Sequence, residues 1–304
     1  MPITLPPLSR RQFLAQSLVA AGALVARPRR LAAASAAQGD PHTWALLSDT
    51  HIAADRAKVN REVAMAAHLE AVVRDVLAQS RRPSGALING DLALNSGETA
   101  DYAALAELIA PLRAAQIPLH LALGNHDHRE RFWAALRDDA TAKRPMADRQ
   151  VAFVSAARAN WFILDSLDKT NRTPGLLGEA QLAWLARELD AHADKPALVV
   201  THHNPTLDPA KVSIIDETAL YAVLRPRRQV KAHFFGHSHV WSIKPDESGL
   251  HRINLPAVAY VFEPTQPSGW VIAQLEPRGI KLQLRCVDSA RREHGESKEL
   301  VWRA

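Results

Sequence analysis

His237 and His239 flank one serine in Gly236-His237-Ser238-His239, directly after the apolar run 230–235. A Gly-x-Ser opening begins a nucleophile elbow, and two imidazoles one residue apart after a strand can equally hold metal. Similar groups recur upstream. Asp49-Thr50-His51 follows an apolar run, and so do Gly90-Asp91, Gly124-Asn125-His126-Asp127 and Thr201-His202-His203. The collected donors are carboxylate, amide and imidazole with no thiol, a mixture that suits Mn, Fe, Zn or Co.

Something must bring these groups together. The runs 43–48, 85–89, 117–123, 161–165, 197–201 and 230–235 are short and apolar, and predict buried strands. Between them, helical spacing of Val63, Ala66, Leu69, Val73, Val76 and Leu77 predicts a helix over 62–79. Leu105, Leu108 and Leu112 predict another over 99–114, and Leu182, Leu185 and Leu189 a third over 178–192. After 250 the strands follow one another without helices. This order predicts a layered α/β or α/β/β/α domain over 38–304, with no internal repeat or long linker. Each donor group falls at the carboxyl end of a strand, the edge where open α/β sheets bind ligands.

The order D-x-H, G-D, G-N-H-D, H, G-H-x-H resembles the calcineurin-like metallophosphoesterases, from about residue 44 to 240. The resemblance implies a four-layer α/β/β/α sandwich with two divalent or trivalent transition-metal ions. It implies that Asp49, His51 and His239 hold the first ion, that Asn125, His202 and His237 hold the second, and that Asp91 bridges. A hydroxide between the ions is the implied nucleophile, in line with two-metal chemistry. His126 is implied as the catalytic group that faces substrate, protonating the leaving oxygen or stabilising charge. His237 and His239, at i and i+2, are expected to point the same way on extended chain. Of the pair His202–His203 the first is the expected ligand. Asp127 is expected to orient a histidine or cap the next helix. His128 and Arg129 are candidates for contact with substrate phosphate, and 128–150 reads as a polar cap or a surface excursion.

Several motif details narrow the class. Leu94 stands where serine/threonine phosphatases have an aspartate and purple acid phosphatases a tyrosine, and His51 departs from the latter as well. The first-motif histidine and the helix before His202 resemble the class III cyclic nucleotide phosphodiesterases. That favours hydrolysis of phosphate esters, most readily diesters, without naming the ester. Val240 occupies the fifth position of the would-be elbow, where glycine is required, so Ser238 reads as a spacer. The alternatives are a metal-bound protein that binds phosphorylated ligands without catalysis, and a serine hydrolase built on Ser238.

The chain has 304 residues, 47% of them apolar, and a single cysteine, Cys286, which excludes an intramolecular disulfide. Arg10 and Arg11 precede Phe13, Leu14 and a mildly apolar, alanine-rich run too short for a confident membrane span. Residues 1–37 therefore read as a signal peptide of twin-arginine type, cleaved near Ala36 or Ala37. The export machinery is then a partner, and the mature protein is periplasmic or extracellular. Because such substrates cross the membrane folded, metal loading in the cytoplasm is expected. The leader also carries five arginines and no acid, which is the whole excess of 37 basic over 32 acidic residues. The rest of the chain is formally neutral and gives no support for nucleic-acid binding.

Overall fold

The computed structural model describes residues 4–5, 39–136, 144–206 and 213–304. The leader reading therefore lies outside the described residues, apart from the two-residue strand β1 (Thr4–Leu5). The first sheet has the order β1, β6 (Leu119–Ala122), β5 (Pro83–Asn89), β2 (Asp40–Ser48), β13 (Gly269–Glu276), β14 (Gly279–Cys286) and β15 (Ser297–Val301). The second has the order β11 (Ser242–Pro245), β12 (His251–Asn254), β10 (Val230–Phe235), β9 (Ala197–Val200), β8 (Asn160–Ile163) and β7 (Ala152–Ser155). A small hairpin joins β3 (Val59–Asn60) to β4 (Val63–Ala64).

Strand alternation builds the layers. In β2, Trp44 and Leu46 enter the space between the sheets, where Trp44 meets Trp161 with ring centroids 5.1 Å apart. Ala45 and Leu47 face the other way, onto helices α1 (Met65–Ala78) and α2 (Thr99–Ala114). In β9, Leu198 and Val200 enter the same central space. Ala197 and Val199 pack against helices whose ranges are α4 (Glu179–Ala191) and α5 (Glu217–Leu224). The central strands are thus apolar on both faces, which is why they read as unbroken runs. The architecture is the α/β/β/α sandwich.

The helices follow the expected spacing with small departures. A capping box between Glu98 and Asp101 starts α2. Val63 belongs to the β3–β4 hairpin, and α1 begins only at Met65. Leu77 is exposed, because Leu69, Val72, Val73 and Val76 already fill the buried stripe. The expected polar excursion 128–150 is partly packed. It contains helix α3 (Arg129–Ala135), whose Phe132 is fully buried, a burial that contributes about 2 kcal/mol. Trp133 donates to the Gln150 side chain at 2.7 Å. Residues 137–143 of this stretch lie outside the described residues.

Strands β2, β5 and β6 run parallel, as do β8, β9, β10 and β12. Their carboxyl ends emerge together, and within each sheet the loops that follow them are tied to one another. Asp49 N–H donates to Gly90 O, His51 N–H to Asp91 O and Gly236 N–H to His202 O. Val258 and Ala259 donate to Ser48 O and Asp49 O, which ties the 257–260 loop to the same edge.

Candidate metal centre

The backbone turns sharply at five of the donors. Asp49, His51, Asp91, His237 and His239 have φ of 55°, 47°, 46°, 69° and 55°. Asp and His tolerate this left-handed region better than most residues, and β-branched ones do not. This corrects the expectation for His237 and His239. They are not on extended chain, and their rings diverge to different neighbours. Two glycines are required by close approach. A Cβ at Gly124 would collide with Asp91 Oδ1 and His202 Nε2, and one at Gly236 with Ser48 Oγ and Asp49 Oδ2.

The structure brings the expected donors into adjoining groups. Donor atoms of Asp49, His51 and His239 lie within 4.8 Å of one another, and so do those of Asp91, His202 and His237. Asp91 also groups with His51 and His126. Its Oδ2 lies 3.3 Å from His202 Nε2 and 3.7 Å from His51 Nε2. His239 Nε2 is 3.4 Å from Asp49 Oδ1 and 3.1 Å from His51 Nε2. All of these are buried except His126 and His237, which are half-buried. Among the described residues, Asn125 Oδ1 is buried with no hydrogen-bond partner, and His202 Nε2 makes no directed hydrogen bond.

Carbonyl groups fix the ring orientations. Nδ1 of His202 is 2.9 Å from Asn89 O, that of His239 is 2.6 Å from Tyr260 O, and that of His126 is 2.8 Å from Asn95 O. With those nitrogens donating, each Nε2 is free to face the cluster, the arrangement that metal-binding histidines use. Two aromatic rings support the imidazoles from outside. Tyr260 stacks on His51 at 5.0 Å and Phe262 on His239 at 4.4 Å. Sequence reasoning did not single out either ring, and no motif marks them.

The charges of the cluster suit a cation. Burial would raise the Asp49 carboxyl, but His239 and His202 hold it at about 2. Burial acts likewise on Asp91, and His202 and His51 keep it well below the usual carboxylate range. Burial disfavours charge on His202, but Asp91 and then Asp49 outweigh it and raise its pKa to about 10. Burial lowers His51 and His237 to about 4, so both stay neutral and offer lone pairs. Two buried carboxylates that draw a proton onto an imidazole, beside an orphaned amide oxygen, fit a site for transition-metal cations.

The neighbouring candidates fall elsewhere. His203 turns its Nδ1 to Ser166 Oγ at 2.9 Å and is absent from the donor groups above. Asp127 neither orients a histidine nor caps a helix. Its carboxylate accepts from the amides of Gly124, Leu92 and Ala93 and from Tyr102 OH, and so joins the loops after β5 and β6. His128 is the N-cap residue of α3, with its ring 3.1 Å from Glu130. The expectation that Arg129 meets substrate phosphate is corrected. Its guanidinium forks onto buried Asp165 at 2.6 and 3.1 Å and also donates to Leu167 O. Ser238 Oγ accepts from the Asn254 amide at 2.5 Å and has no histidine partner, so the serine-nucleophile alternative lacks its base.

Residues 42–241 match the family model of the calcineurin-like phosphoesterases. The chain belongs to that family. It is therefore a metal-dependent phosphoesterase. Among its relatives is a cAMP/cGMP dual specificity phosphodiesterase of Mycobacterium tuberculosis, 33% identical over 199 residues, which are 64% of this chain and 60% of that protein. Another is the 3',5'-cyclic adenosine monophosphate phosphodiesterase CpdA of Pseudomonas aeruginosa, 29% identical over 83% of this chain and 88% of that one. Among solved structures, a dimetal phosphatase from Danio rerio superposes with a TM-score of 0.68 at 19% identity, over 87% of this chain and all of that one. This last likeness concerns the fold alone.

Proposed function

We propose that this calcineurin-like phosphoesterase hydrolyses phosphodiesters at a centre for two metal ions. The observation that carries the reading is Asp91, which groups with His202 and His237 and also lies 3.7 Å from His51 of the other group, so that its carboxylate could serve both ions at once. Asp49, His51 and His239 would hold one ion, and Asn125, His202 and His237 the other. Bound there, Mn, Fe, Zn or Co supplies Lewis acidity toward the phosphoryl group and a nucleophile at neutral pH. The named cyclic nucleotide phosphodiesterases among the relatives support the diester over the monoester.

The protein's own groups do the rest. His126 is the half-buried member beside Asp91, so it is placed to reach substrate. Its Nδ1 is committed to Asn95 O, so Nε2 is the atom that can deliver a proton to the leaving oxygen. Asp91 accepts the His126 amide at 2.9 Å through Oδ1, which leaves Oδ2 for the cluster. Neutral His51 and His237 add no positive charge that would compete for the carboxylates.

The test is hydrolysis of bis(p-nitrophenyl) phosphate and p-nitrophenyl phosphate by residues 38–304, stripped with chelator and reloaded with each metal. Turnover that needs metal, prefers the diester and disappears in Asp91→Ala is expected. Two bound metals without turnover would instead favour a phospho-ligand binding protein. We also propose export of the chain through the twin-arginine route, a reading supported by Arg10, Arg11 and the alanine-rich stretch to Ala37. N-terminal sequencing of the exported protein checks it, and an intact Met1 would count against cleavage.

A further inference from the structure

The β11–β12 hairpin stands at the edge of the second sheet, and its register pairs Ser242 with Asn254, Ile243 with Ile253 and Lys244 with Arg252. Ile243 and Ile253 enter the layer between the sheets. Lys244, Arg252, Ser242 and Asn254 therefore share the opposite face. Two cations directly opposite on an antiparallel pair repel one another. Among the described residues neither makes an ion pair, and Arg252 Nε is buried without a hydrogen-bond partner. Glu217, whose carboxyl feels the charge of Arg252, is turned instead to the amide of Thr206 at 2.8 Å.

All four residues line a cavity of about 290 Å³. None of the donors of the metal centre lines it, but Ser238 and Val240 do. The cavity therefore lies against the reverse of the loop that carries His237 and His239.

We propose that this cavity is a second oxyanion site, which takes a phosphate or phosphoryl group between Lys244 and Arg252. A guanidinium offers phosphate a planar fork and an ammonium adds a point charge, so the pair meets an oxyanion from two sides. The anion would cancel the cross-strand repulsion. The Ser242 hydroxyl supplies a neutral donor on the same face. The proposal does not depend on the reaction at the metal centre.

Phosphate also suits a metal centre, so the two sites must be separated. Calorimetric titration of inorganic phosphate is run on metal-loaded wild type, on Asp91→Asn, and on Asp91→Asn with Lys244→Gln and Arg252→Gln added. Two classes of site are expected in the wild type and one in Asp91→Asn. The added changes are expected to weaken the remaining site by about tenfold or more, from the loss of charge-assisted hydrogen bonds. Lys244 is exposed, so Lys244→Gln alone leaves the fold intact. In phosphate-free buffer it is expected to raise Tm by relieving the repulsion, and in the Asp91→Asn protein to remove the Tm gain that phosphate gives. Glycerol 3-phosphate separates the sources: tighter binding than phosphate assigns the site to an esterified phosphoryl group, and equal binding to the ion itself. Phosphate binding that vanishes entirely in Asp91→Asn, or that survives the Lys244 and Arg252 changes, overturns the proposal.

Discussion

The backbone amide of His126 donates to Oδ1 of Asp91 at 2.9 Å, so the loop that carries the acid candidate also aims the carboxylate at the middle of the donor cluster. Removing that carboxylate should empty the His202–His237 group of its only acid and take a charge from beside His51 of the other group. Asp91→Ala is expected to lower kcat by about a thousandfold or more, as loss of the central charge of the proposed two-ion site would imply, and to lower bound metal as read by elemental analysis. Asp91→Asn keeps an acceptor for the His126 amide and should retain the fold while losing metal. Full metal content in Asp91→Ala would remove Asp91 from the centre.

His126 is tested by a different signature. His126→Ala is expected to lower kcat by roughly a hundredfold to ten-thousandfold, the range for a general acid, with metal content unchanged. The loss should shrink for esters with a good leaving group such as p-nitrophenolate, which needs no proton. An equal loss for good and poor leaving groups would deny it that role.

Arg129 separates structure from binding. Asp165 is fully buried, and its partner guanidinium is mostly so. Arg129→Ala leaves that carboxylate unpaired and should destabilise the protein by about 3 kcal/mol in urea unfolding. KM should hold within about twofold, since a group spent on Asp165 has little left for substrate. A large rise in KM at unchanged stability would restore it to the substrate site.

Acid should weaken the fold through two histidines away from the donor cluster. Burial lowers His120 to about 4, and burial followed by the charge of Arg252 lowers His233 to about 3. Both are depressed below the unfolded value of about 6.5. Their contribution is therefore complete above that pH and is lost as pH falls toward the folded values, because the unfolded chain takes up protons first. Each adds a slope of about 1.4 kcal/mol per pH unit in that window. Unfolding free energies of wild type and His233→Gln, compared from pH 7 to 4.5, should differ in slope by about one such step. Identical slopes would mean that His233 is not held neutral.

Much of this centre is legible in the sequence because each donor group directly follows a short apolar run. Parallel strands end at a common edge, so Asp49, Asp91, Asn125, His202 and His237 must arrive near one another once the strand order is set. The strands themselves are legible because both faces of β2 and β9 are covered. What escaped has no local signal. Arg129 looks like a phosphate ligand until Asp165, 36 residues on, takes its fork. Asp127 sits in a motif, yet its partners are amides of Leu92 and Ala93 on another loop. Tyr260 and Phe262 reach His51 and His239 only because the 257–260 backbone bonds to Ser48 and Asp49. The opposition of Lys244 and Arg252 depends on hairpin register, which spacing does not fix.

The left-handed turns at Asp49, His51, Asp91, His237 and His239 load this edge like a spring that bound cations would hold shut. Each such residue costs on the order of 1 kcal/mol or more, and cations bound by the same side chains would offset it. Alanine at these positions removes a donor but keeps the strain, whereas glycine removes both. Metal-free glycine variants should therefore outlast their alanine counterparts on heating, and a lineage that abandoned catalysis would gain robustness by drifting toward glycine at this edge.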